Sequence, residues 1–232
     1  MTPVIVQNRG GKSHAANLLS PSRICAVITV FFLVQGCSPR SQKPAIDISV
    51  LSRPEPDVVY VELRNRVFNS SPSDFKVENV TEPFPLWGAI VEHGLPNGTA
   101  TLVCFANGEA SLYLSSGAGL AGTSANADVR VGASNLVALA AQQAPTASPT
   151  ESWPPPAIGE VAFWFLSTNQ VLGTRVSDRD LQDDNHPLAK LYRSANALLT
   201  QMHLVAAEIQ SKTNSVNNKE TNNASTNAQP DP

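Results

Sequence analysis

Three groups of residues in this chain have the types and spacing that could do chemistry. Gly117-Ala118-Gly119-Leu120-Ala121-Gly122 has the GxGxxG spacing with which a turn lets its backbone approach a pyrophosphate at a helix N-terminus. Its surroundings argue against a dinucleotide. The preceding segment belongs to a hairpin meander, no parallel strand follows within the ~30 residues of a βαβ unit, and no acidic residue stands about 20 positions on to hold a ribose. The glycines read instead as a flexible connection or a peptide-binding loop. Asp178, Asp180, Asp183, Asp184, Asn185 and His186 form the densest cluster of oxygen ligands. A calcium loop of the EF-hand kind needs Gly sixth and Glu twelfth, where this chain has Asp183 and Ala189. Asp178, Asp180 and Asp183 are therefore weak candidates for a metal, and the competing reading is electrostatic. Carboxylates just before a helix stabilise its dipole by ~0.3–1 kcal/mol each. His93, His186 and His203 show no paired spacing that would suit zinc.

The third group is Cys104 with His93. A cysteine hydrolase needs ~3 Å between the reacting atoms, whereas the expected strand register leaves these two as diagonal neighbours. No GxSxG elbow occurs, and Glu92, Glu109 and Glu160 show no spacing that marks an acid–base pair. The residues assign no catalytic set, no resident metal and no cofactor.

Cysteine usage points to a compartment. The chain has three cysteines, Cys25, Cys37 and Cys104. Arg9, Lys12 and Arg23 are the only charges before position 40, and an apolar run from Ile24 to Val34 follows them. That run suits a signal peptide's hydrophobic segment and falls short of the ~20 residues of a membrane-spanning helix. Val34-Gln35-Gly36-Cys37 resembles the lipobox of bacterial lipoproteins. In that pattern a small residue precedes a cysteine that receives diacylglycerol and becomes the new N-terminus after cleavage. Gly36 and Cys37 match it, Val34 stands where Leu is commoner, and Gln35 departs from the usual small or aliphatic residue. The resemblance implies lipidation at Cys37, palmitate-type chains, and a place in the cell envelope. Ser38 lacks the acidic character that retains lipoproteins at the inner membrane, so the outer membrane is favoured if the host has one. A buried core cysteine, or a simple secretory signal with a chance Gly-Cys, are the competing readings of the same stretch. With Cys25 removed and Cys37 acylated, Cys104 has no disulfide partner and reads as a small buried hydrophobe.

Loss of the signal changes the charge balance. Removing Arg9, Lys12 and Arg23 from 16 basic residues leaves 13 against 19 acidic ones, a net of −6. Such a surface repels phosphate backbones, so nucleic acid is not an expected partner. The chain divides into a signal peptide at 1–36, a flexible tether at 37–54, a globular domain at 55–211 and a disordered tail at 212–232. The tether is rich in Ser and Pro. The tail is mostly Asn, Thr, Ser and Ala, too polar to offset the entropy of ordering it. Pro145 to Pro156 is a loop of polyproline character, in which Trp153 is either a packing anchor or an exposed binding aromatic.

The elements that must position all these groups follow from turns and periodicity. Asn97-Gly98 and Asn107-Gly108 are each flanked by apolar segments and predict type I′ hairpins joining three strands between Trp87 and Leu114. In that register Leu102 opposes His93 and Tyr113, and Cys104 opposes Val91 and Ser111. The middle segment, Thr101 to Phe105, is apolar on both faces, so the sheet must be covered on two sides. Leu188–Ile209 and Ala125–Gln142 carry helical spacing, with Pro187 suited to a first turn. Residues 57–68 suit either a helix or a strand, because Val59, Leu63 and Val67 stand four apart while Val-Val-Tyr-Val is β-prone. Gly159–Ser167 and Gln170–Val176 predict a further hairpin. The expected fold is α+β: a five-stranded antiparallel sheet, meander plus hairpin, covered by two or three helices. It is loosely similar to roadblock, longin or profilin-like domains, an analogy that carries no function. Two functions stay open, a non-enzymatic envelope module that binds or scaffolds another protein, and a periplasmic or surface hydrolase assisted by a metal at 178–186.

Overall fold

The computed structural model describes residues 53–78 and 84–226, with side chains to residue 214. The segment read as a signal peptide, Cys37, and all but the end of the stretch read as a tether lie outside the described residues. The fold is α+β, with an antiparallel sheet and three helices, and the sheet has seven strands rather than five. The elements are α1 (Val58–Phe68), β1 (Leu86–Leu95), β2 (Gly98–Phe105), β3 (Ala110–Leu114), β4 (Gly119–Leu120), α2 (Ala127–Gln143), β5 (Ser148–Thr150), β6 (Glu160–Ser167), β7 (Val171–Ser177) and α3 (Ala189–Thr226). The strand order is β4-β3-β2-β1-β6-β7-β5. The two additional strands, β4 and β5, are the sheet's edges. They are too short for periodicity to register, and Pro149 in β5 suits an edge, where a missing N–H costs no ladder bond.

Residues 57–68 form a helix. Asp57 caps it, its carboxylate accepting from Val59 N at 2.8 Å, and Tyr60, Arg64, Val67 and Phe68 fall on one buried side. Cap and burial together outweigh the β-propensity of the valines. At α2, Asn126 caps the amides of Asp128 and Val129, and Val129, Ala133, Leu136, Val137 and Ala140 form the buried stripe. α3 continues to Thr226, past residue 211, although Met202 and Val205 are the last side chains along it in contact with the core among the described residues. The stretch read as a tail extends this helix: once a helix is nucleated, each added residue gains a hydrogen bond without a new nucleation cost.

Both hairpins differ from the type I′ expectation, and the register moves with them. Leu95 pairs with Gly98, so the first turn is Pro96-Asn97. Proline cannot adopt the positive φ of a type I′ turn and instead takes the first central position of a common turn. Gly98 absorbs the mismatch at φ +145, where a Cβ would lie 2.0 Å from Ser115 Oγ. The second loop holds three residues, Ala106 to Gly108, closed by Gly108 N donating to Phe105 O, with Gly108 at φ +86. Leu102 therefore opposes Val91 and Leu112, and Cys104 opposes Ala89 and Ala110.

The sheet buries both faces. On the first, Ala89, Val91, Leu102, Cys104, Phe163 and Phe165 pack against α2 and α3. On the second, Ile90, Val103, Phe105, Trp164 and Leu166 pack against Val67 and Phe68 of α1. An irregularity between Leu86 and Gly88 lets Leu86 join the first cluster and Trp87 the second.

Candidate functional site

The most concentrated polar chemistry lies on the second face, around Glu92. Alternation along β1 places residue 92 on the same face as Ile90, opposite Thr101 of β2 and Ala162 of β6. Tyr60 and Arg64, one turn apart on α1, reach down onto it. Glu92 is 0 % exposed. Its Oε1 accepts from Arg64 Nε at 2.7 Å and Thr101 Oγ1 at 2.9 Å; its Oε2 accepts from Arg64 Nη2 at 2.7 Å and Trp164 Nε1 at 2.8 Å. Tyr60 Oη shares a 3.0 Å hydrogen bond with Thr101 Oγ1. Burial first, then the charge of Glu92, holds the Tyr60 hydroxyl above its ordinary pKa. Burial works against the Arg64 charge, but the hydrogen bonds and charge of Glu92 outweigh it and raise the guanidinium further. With four donors on its two oxygens, Glu92 is a structural carboxylate rather than a free base.

The same arginine reaches outward. Arg64 Nη2 also donates to the carbonyl of Trp153 at 2.5 Å, and its Cζ sits 4.8 Å from the Phe68 ring centroid. Trp153 stacks on Phe68 with centroids 4.8 Å apart and planes at 10°. The loop aromatic left open between anchor and exposed binder is thus seated, half-buried, against α1.

The residues singled out from sequence separate into different places. Cys104 is fully buried, and burial pushes its thiol well above the ordinary range. Its strand partner Ala89 is four residues from His93, roughly 13 Å along β1 at strand rise, so the two form no dyad. His93 meets Asp178 instead, with Nε2 to Oδ2 at 3.5 Å, and the Tyr192 hydroxyl donates to Asp178 Oδ1 at 2.7 Å. Burial first, then the hydrogen bond to Asp178, pushes Tyr192 up to about 12. The other acidic residues of the 178–186 stretch are engaged locally. Asp180 opens a short 3-10 turn, Asp183 accepts from Asn185 N at 3.0 Å, and Asp184 pairs with Arg193 at 2.5 Å. Among the described residues, no group of three or more His, Cys, Asp or Glu is placed to hold a metal ion. Glu160 pairs with Arg175 at 3.1 Å.

The glycine motif makes a hairpin return. Gly119 and Leu120 pair antiparallel with Tyr113 and Leu112, and a Cβ on Gly119 would lie 2.5 Å from Leu112 O. Together with Tyr60 and Leu63 of α1 and Tyr113 of β3, Gly117–Ala121 lines an apolar cavity of about 160 Å³.

Arg64 is the residue that sequence reasoning missed. Its signal was Glu92 itself, a carboxylate inside a strand that must be buried on both faces and so demands a cationic partner. No protein-family model, curated protein or solved structure matches this chain.

Proposed function

We propose that the chain is an envelope lipoprotein, acylated at Cys37 and held off the membrane by residues 37–54. Its α+β domain acts as a non-enzymatic module that binds or scaffolds a partner protein. An outer-membrane site is the expected one if the host has such a membrane. The finer likeness to roadblock, longin or profilin-like sandwiches belongs to the same proposal. The observation that carries the binding role is the apolar surface of α1. Val58 is 67 % and Val61 39 % exposed, on the helix whose Tyr60 and Leu63 line the apolar cavity. Exposed apolar side chains on a helix that also walls an apolar cavity support an interaction role. No helix among the described residues is long and apolar enough to cross a membrane. Attachment in this reading therefore rests on the lipid.

Two measurements test it. A palmitate analogue fed to host cells labels the wild type and leaves Cys37→Ala unlabelled. Crosslinking of native membranes recovers one partner in stoichiometric amount, and recovery falls for Val58→Asp/Val61→Asp. An unlabelled wild type ends the anchor, and an unchanged recovery with the double aspartate variant ends the α1 surface.

The His93–Asp178 contact favours a second reading, a hydrolase in which a carboxylate orients an imidazole. In that case zinc or calcium raises the melting temperature, and the rise disappears in Asp178→Asn. A melt that neither ion moves removes this reading.

A further inference from the structure

The surface of the second face holds a ligand of a recognisable kind, supplied by the chain itself. Trp153-Pro154-Pro155-Pro156 leaves β5 and crosses toward β6 without regular hydrogen bonding. Proline fixes φ near −65°, and each residue before a proline is driven to extended backbone, so this segment takes polyproline II geometry with ~3 residues per turn. Burial follows that period. Trp153 is half-buried, Pro154 and Pro155 are exposed, and Pro156 is buried, so the positions three apart face inward.

Such a helix makes no internal hydrogen bonds, and its carbonyls need outside donors. Three arginines from three parts of the chain supply them. Arg64 of α1 donates to Trp153 O at 2.5 Å, Arg175 of β7 donates to Pro154 O, and Arg53 donates to Pro156 O at 2.7 Å. The floor is aromatic. Phe68 stacks on Trp153, Trp164 stands edge-on to Phe68 at 5.8 Å, and Arg175 lies 5.4 Å over Trp164. Arg53 keeps Nε and Nη2 buried without an acceptor among the described residues.

We infer that this groove is a recognition site for proline-rich segments bearing an aromatic three positions before a proline, occupied in cis by Trp153–Pro156. Aromatic walls and donors aimed at successive carbonyls are how proline-rich ligands are read. The inference deepens the proposed binding role by naming the partner's chemistry. It rests on that role only for its biological use. If the peptide below does not bind while crosslinking still recovers a partner, the groove is wrong and the module stands; if the peptide binds and no partner is recovered, the reverse holds.

The test uses the full-length chain in detergent and a synthetic peptide of Glu151–Ala157. Replacing the inward residues, Trp153→Ala/Pro156→Ala, loosens the strap and leaves the groove residues in place. A tethered segment competes at a millimolar-scale effective concentration, so the peptide should bind the loosened variant about tenfold or more tightly than the wild type. A peptide carrying alanine at both inward positions should not bind, and adding Arg175→Ala to the loosened variant should weaken binding of the native peptide. Equal binding of the two peptides, no binding to the folded loosened variant, or indifference to Arg175→Ala each overturns the inference. Should the double variant fail to fold, the melt of Pro156→Ala is followed with added peptide. A rise with the native peptide and not the control supports the groove, and no rise overturns it.

Discussion

The two faces of one sheet are held by different physics. Under α2 and α3 the first face is an apolar core in which even a cysteine, Cys104, behaves as a small hydrophobe between Ala89 and Ala110. Under α1 the second face buries a carboxylate with four donors and holds its helix through Arg64, which also grips the proline strap. Area burial is tolerant of which apolar group supplies it, whereas a buried ion pair does not tolerate the loss of one partner. The first face therefore supplies adhesion, and the second fixes one orientation of α1 and of the strap that crosses it.

The largest predicted effect breaks the second face. Arg64→Ala leaves Glu92 buried, without its cation and short of two donors, and should cost ~3–5 kcal/mol in denaturant unfolding. The double change Arg64→Met/Glu92→Leu removes both charges and should recover part of that loss, the remainder being the partners that Trp164 Nε1 and the Trp153 carbonyl lose. A double variant as unstable as the single one would show that Arg64 works through packing on Phe68 rather than through the charge pair.

On the first face the matching experiment contrasts two substitutions at one site. Met202, fully buried in α3, becomes Ala at a cost of ~2–5 kcal/mol and Leu at under ~1.5 kcal/mol, because volume rather than chemistry is what the site requires. A loss in Met202→Leu comparable to that in Met202→Ala would place the first face among the specific contacts and erase the distinction.

The same contrast explains what was legible in the sequence. Apolar period is the signature of area burial, so α2, α3 and β1–β3 could be located from residues such as Val129, Leu136 and Leu198, and the need for two-sided cover could be read from Thr101–Phe105. The edge strands could not, since two or three residues carry no period. Nor could the register, because Asn97-Gly98 advertises a turn that Pro96 moves back by one residue. The second face was hidden for a further reason: Arg64 and Glu92 are 28 positions apart, and Arg64 and the Trp153 carbonyl are 89 apart. Only folding brings those groups together, and single-residue chemistry does not encode the pairing.

A smaller effect sharpens the first face at its rim, where Tyr192 joins α3 to Asp178. The folded hydroxyl is held at about 12, above its ordinary value of 10.0. The unfolded chain therefore loses this proton first. The contribution is complete below pH 10 and disappears as pH rises toward 12. Denaturation midpoints measured at pH 9 and pH 11 should fall less in Tyr192→Phe than in the wild type. Tyr60, Tyr113 and the Cys104 thiol are shifted in the same direction and set a background slope common to both proteins. An identical fall would assign the whole slope to them and leave Tyr192 without a role in alkaline stability.

The smallest effects come from the two helix caps, where the two faces should respond alike. Asn126 caps α2 through two amides at 2.9 and 3.2 Å, and Asp57 caps α1 through Val59 N at 2.8 Å. Each cap satisfies backbone donors that the helix leaves unpaired, and replacement by alanine should cost ~1 kcal/mol at either site. Capping is local, so it is blind to what lies beneath the helix. The two faces separate, however, when the cap change is combined with Arg64→Ala. Asn126→Ala lies on another helix and should add to it independently, whereas Asp57→Ala acts on the helix that Arg64 anchors and should couple to it. A double-mutant cycle in which Asp57 and Arg64 prove additive would mean that the ion pair holds a side chain and not the orientation of α1. The second face would then be specific at a point and no longer across its width.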